Sequence, residues 1–112
     1  MPILNADYSN IDHEEMSKSI GLKSKHIPIL IMSFLEEADP IMSALEESVN
    51  TKNYTDIKMN AHTIKGSAGN LRFNEIYEMA KEMEFAGASS DAGFDYNGYL
   101  KSIKEAISTI PG

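Results

Sequence analysis

Apolar side chains recur at helical spacing through almost the whole chain, and nowhere does a stretch alternate apolar and polar with β-branched enrichment. That periodicity confines the fold to the all-α class. The clearest stripe runs Ile27, Leu30, Ile31, Phe34, Leu35, Ala38, Ile41, Met42, Leu45, Val49. It stays in phase across Pro40, so the spacing predicts one kinked helix rather than two. Before it, Asp12 and Glu15 stand at capping-box spacing with Ile11 and Met16 as a staple, which predicts a short helix to about Ile20, ended by Gly21. Asn53 caps a third helix with a narrow apolar line of Ile57, Ala61, Ile64, Ala68 and Leu71, fading near Gly69-Asn70. Asn74 is read as the cap of a fourth, with Ile76, Met79, Ala80 and Met83 inward and a stop around Gly87. After a small-residue loop from Ala88 to Gly93, a last helix buries Tyr96, Leu100, Ile103, Ile107 and Ile110, with Tyr99 flanking, and ends at Pro111-Gly112. These pieces predict an antiparallel four-helix bundle with a short additional N-terminal helix, forming one domain over residues 1–112.

The chain has 112 residues and a formal charge of −7. Nucleic acid and anionic membranes are therefore poor partners, because both require a positive face. There is no cysteine, hence no disulfide framework or thiolate chemistry. The longest apolar run, Ile27 to Met32, is far too short to span a bilayer, and the first residues lack a basic leader pattern. The expectation is a soluble, cytoplasmic protein.

The third helix carries the chemistry. With about 100° per residue and Ile57 as zero, the apolar line lies within about 40° of the core direction, Lys65 at about 80°, Lys58 at about 100°, Gly69 at about 120°, His62 at about 140° and Gly66 at about 180°. The imidazole of His62 is expected to face water. Its helical neighbours are two lysines and two glycines, and two glycines within one helix sacrifice about 2 kcal/mol of helix propensity. A face stripped of side chains beside an exposed imidazole suits a second protein surface that must reach the ring closely. Nearby ammonium groups suit a dianionic group on a ring nitrogen.

The run Ala61-His62-Thr63-Ile64-Lys65-Gly66-Ser67-Ala68-Gly69-Asn70-Leu71 resembles the signature of histidine phosphotransfer (HPt) domains of two-component phosphorelays. It is also similar to the phosphoacceptor domain of chemotaxis histidine kinases. The resemblance implies that His62 is the phosphorylated residue, that Lys65 helps hold the phosphoryl group, and that Gly66 leaves room for a receiver domain. In the chemotaxis kinases a carboxylate at the position of Glu84 bonds the ring nitrogen opposite the phosphorylated one. Partners implied are a response-regulator receiver domain and a histidine or hybrid kinase, with the Mg2+ ion supplied by the receiver and no cofactor held by this chain. Arg72 departs from the pattern, because many members have glycine there.

Neutral imidazole is a competent nucleophile near pH 7, and adjacent lysines disfavour its cation. No phosphate-binding loop or dinucleotide fingerprint is present, so no kinase activity is expected. Blander readings accompany several residues: Lys58 as a solvated lysine with long-range influence, Ser67 bonded to its own backbone or to phosphate, Gly69 as either packing or access. His13 and His26 read as polar residues near helix starts, the methionines as core fillers, and Glu36, Glu37, Glu46 and Glu47 as a solvated face. The expected protein is a free-standing monomeric phosphocarrier, a form favoured by a chain that begins at Met1 and closes after its last helix. The rivals are a phosphoacceptor domain detached from a larger kinase and a helical adaptor that is never phosphorylated.

Overall fold

The computed structural model describes residues 6–111. It contains α1 (His13–Ile20), a 3-10 turn (Ser24–His26), α2 (Ile27–Asn50), α3 (Tyr54–Asn70), α4 (Asn74–Ala88) and α5 (Tyr96–Ser108), with no strand among the described residues. The four long helices form the bundle, and α1 packs beside the start of α2. The last helix, expected to run to Pro111-Gly112, ends at Ser108 with Thr109 as its cap, and Gly112 lies outside the described residues.

Local signals account for most helix starts. The Asp12 side chain accepts from the Glu15 amide, Asn53 from that of Asp56, and Asp95 from that of Gly98, each satisfying a donor that the first turn leaves unpaired. Gly21 ends α1 in the left-handed conformation at φ 85°. Pro40 lies inside a continuous α2, as the unbroken stripe implied. His26 occupies the cap position of α2 and His13 opens α1, which is how both were read.

Asn74 is a correction. Phe73 takes the cap position without a side-chain bond, and Asn74 is the first helical residue. The physical reason is burial: Phe73 is 1% exposed, with its ring centroid 4.7 Å from that of Tyr8 and 5.2 Å from that of Phe34. An aromatic plug in the core fixes this turn more strongly than a polar cap would. Tyr8 is held there by its hydroxyl, which donates to Glu75 Oε1 at 2.8 Å, and by its amide, which donates to Thr109 Oγ1. Tyr99 is buried rather than flanking, and Ile107 only partly buried.

The core includes Ile27, Phe34, Leu45, Ile57, Ile64, Ile76, Met79, Met83 and Ile103, which lie on the predicted stripes, together with Phe73, Ala86 and Ala106, which do not. Met42, Met79 and Met83 are core residues as expected, whereas Met32 and Met59 are exposed. Among the glutamates of α2, Glu46 pairs with Lys104 of α5.

Helix α4 ends at Ala88, at the stop expected around Gly87, and Gly87 itself is buried in its last turn. A Cβ there would lie 3.0 Å from the Lys58 amide nitrogen and 3.0 Å from the Tyr54 carbonyl oxygen. Backbone cannot move aside cheaply, so glycine is what lets α3 and α4 approach. Gly87→Ala is expected to destabilise the protein by about 1 to 3 kcal/mol, the usual range for overpacking, measurable by urea unfolding.

The turn between these helices explains why glycine is common at position 72 in the resembling sequences. Arg72 has φ 63°, in the left-handed region that costs a side-chain-bearing residue about 1 to 2 kcal/mol. Its guanidinium offsets this by donating to the Gly69 carbonyl at 3.0 Å and to Ser19 of α1. Arg72→Ala keeps the strain and loses these bonds, so a loss of about 1 kcal/mol is expected. Arg72→Gly relieves the strain as it loses the bonds and should unfold close to wild type in the same assay.

Candidate functional site

Contacts between α3 and α4 step in opposite directions along the two helices: Gly87 meets Lys58, Glu84 meets His62, and Tyr77 meets Gly69. This antiparallel register delivers Glu84 to the third helix. One of its oxygens, Oε2, lies 2.8 Å from His62 Nδ1 and the other, Oε1, 2.6 Å from Lys65 Nζ. The carboxylate thus bridges the imidazole and the ammonium one turn apart.

Exposure separates the three groups. The His62 side chain is 66% accessible, Lys65 19% and Glu84 13%. The imidazole therefore projects from the bundle, as the wheel predicted, while its partners lie beneath it. Burial by itself would raise the Glu84 carboxyl. The Lys65 ammonium and the His62 ring outweigh it and hold the group below its ordinary value. An ionised carboxylate only accepts, so the proton of a neutral His62 resides on Nδ1 and the lone pair on Nε2. The pair as a whole presents an outward-facing nucleophilic nitrogen with its other nitrogen pinned.

Gly66 is exposed, with open space where a Cβ would stand, so no neighbour within this chain requires glycine there. Gly69 resolves as a packing residue: a Cβ would come within 3.1 Å of the Tyr77 ring. Ser67 is not brought to the imidazole. It lines a cavity between α1, α2 and the end of α3 with Leu30, Ser33 and Phe34, and its hydroxyl makes no hydrogen bond among the described residues. Lys58 and His62 line a shallow depression of about 430 Å³ together with Met59, Asn60, Thr63 and Glu84. Exposed Met59, assigned to the core from sequence, is the lining residue that periodicity should have revealed, since at about 200° on the wheel it lies beside Gly66. No group of histidine, aspartate and glutamate suited to a metal ion occurs among the described residues.

An exposed, oriented imidazole on a helical bundle has the geometry that a nucleophilic histidine requires. The Hpt domain family matches residues 30–109, and the chain belongs to that family, whose members carry phosphoryl groups on histidine in two-component phosphorelays and interact with receiver domains and kinases. Neither the curated proteins nor the solved structures provide a match. No helix among the described residues is long and apolar enough to cross a membrane.

The depressed Glu84 carboxyl has a consequence for pH. Its contribution to stability is fully present above the ordinary value of 4.5 and is lost as pH falls through the lower, folded-state value. Carbon NMR of the Glu84 carboxyl should show it titrating below 4.5 in wild type, and moving back toward that value in Lys65→Gln, where its strongest counter-charge is gone.

Proposed function

We propose that the chain is a cytoplasmic phosphotransfer protein, a single domain throughout, in which His62 Nε2 accepts a phosphoryl group and exchanges it with a receiver-domain aspartate. The observation that carries this reading is the pinned, outward imidazole: Nδ1 on Glu84 at 2.8 Å, with the side chain two-thirds exposed. In the forward step the Nε2 lone pair attacks phosphorus, the Nε2–P bond forms, and the P–O bond to the aspartyl carboxylate breaks with its electron pair returning to that oxygen. The Nδ1 proton stays where it is. The product is a phosphoimidazolium whose N–H faces the Glu84 carboxylate, so no proton need be exchanged with solvent in either direction.

Each remaining residue has a part in this reading. Lys65 balances the charge of Glu84, so that the carboxylate orients the ring without repelling an incoming dianion. Gly66 keeps the surface next to His62 open for the receiver. The Mg2+ ion and most compensation of transition-state charge belong to the receiver, and the chain contributes no cofactor and no kinase activity of its own. A histidine kinase or hybrid kinase would feed the relay. Monomeric action suffices, because one copy of the site holds every group named.

Incubation with a phosphorylated receiver should give an acid-labile, alkali-stable label on wild type and none on His62→Gln, whose circular dichroism should remain that of the folded bundle. Glu84→Gln should retain the label but accept it about tenfold more slowly, the cost of a charge-assisted hydrogen bond weakened by about 1.4 kcal/mol. Equal labelling of His62→Gln would exclude the site. A wild type that no receiver labels would favour the adaptor reading.

A further inference from the structure

We infer that Lys58, rather than Lys65, is the cation that faces the phosphoryl group on His62 Nε2; this rests on the reading of His62 as the phosphoacceptor. The motif carries two lysines within a turn of the imidazole, and charge alone does not choose between them. Geometry does. Lys65 is committed inward, with its ammonium 2.6 Å from Glu84 and its side chain mostly covered. Its positive charge is cancelled by a carboxylate before any ligand arrives.

Lys58 is in the opposite condition. It is exposed, and its side chain forms no hydrogen bond or ion pair among the described residues. It also lies in the right direction. Side chains on a helix lean toward its N-terminus, so the ring of His62 covers the turn before it, where Lys58 and Met59 stand. The depression around the imidazole is lined by Lys58, Met59 and Glu84, and by neither Lys65 nor Gly66. On the wheel Lys58 is about 40° from His62, on the side toward α4. A four-carbon stem carries its ammonium across that span without disturbing a contact already made. The buried lysine thus serves the carboxylate, and the free one serves the incoming anion.

Phosphoramidate tests this without a protein partner. Its P–N bond breaks with loss of ammonia as the Nε2–P bond forms, and His13 and His26, on other elements, report the intrinsic reactivity of exposed imidazoles. Lys58→Gln should slow labelling of His62 about two- to fivefold at low ionic strength, the scale of an exposed charge contact. The deficit should shrink at high salt, and Lys58→Arg should restore the rate. Nitrogen NMR should show the His62 tautomer unchanged in Lys58→Gln, and altered in Glu84→Ala, which removes the acceptor for Nδ1. The inference is overturned if Lys58→Gln labels like wild type at low salt, or if its deficit is salt-independent and accompanied by a changed tautomer. If wild-type His62 stays unlabelled while His13 and His26 react, the phosphoacceptor reading itself falls, and this inference with it.

Discussion

The backbones of α3 and α4 approach so closely that the amide of Lys58 and the carbonyl of Tyr54 occupy the space a side chain on Gly87 would need. Everything at the site depends on that approach. Glu84 stands three residues before Gly87 and so falls opposite His62, one turn along the same antiparallel register. Widening the contact by the thickness of a methyl group would lengthen a 2.8 Å bond to an imidazole that has no other partner. At the other end Gly69 sits against the Tyr77 ring, and the tight turn through Arg72 and Phe73 closes the hairpin. Two glycines and one left-handed residue hold the register; none of them touches the imidazole.

The electrostatics follow from the same geometry. A chain of charge −7 is a poor host for an incoming phosphoryl dianion, and a bare glutamate beside the acceptor would make it worse. Placing Lys65 on the second oxygen of Glu84 removes that penalty while leaving the first oxygen to orient the ring. Because the carboxyl is mostly covered, the pair is screened less by solvent than a surface ion pair would be. The lysine that resemblance assigned to the phosphoryl group is, in this structure, the counter-charge of the carboxylate that bonds the histidine ring.

Much of this was legible in the letters, and the rest was hidden for identifiable reasons. Periodicity is a local property, so the all-α class, the stripes of α2 and α3, the continuity across Pro40 and the outward direction of His62 could be read directly. Caps made by Asp12 and Asn53 are local as well. What could not be read depends on the meeting of distant segments. Gly87 reads only as a helix stop until the backbone opposite it is known, and Gly69 stays open between packing and access until Tyr77 arrives. Asn74 has the chemistry of a cap, but the cost of exposing Phe73 outweighs the bond it would make. Arg72 is the instructive middle case: its departure from the family glycine was visible, while its positive φ and its hold on Gly69 and Ser19 were not.

The site is built on helix interiors, not on loops, and this bears on the chemistry it can perform. Glu84 and Lys65 are fixed by packing on two rigid elements, so the orientation of His62 is set before a partner arrives and its entropy has been lost on folding rather than in the encounter. In-line displacement at phosphorus needs a nitrogen lone pair held on one axis. A ring free to rotate about its side-chain torsions would meet that axis only part of the time. A reaction that runs in both directions needs the same axis before and after transfer, and a bond from Nδ1 to an ionised carboxylate provides it in the neutral ring and in the phosphoimidazolium alike. In the function proposed for this chain, the same pinned ring would therefore serve both directions of transfer, and the choice of partner would fall to the surface around the imidazole.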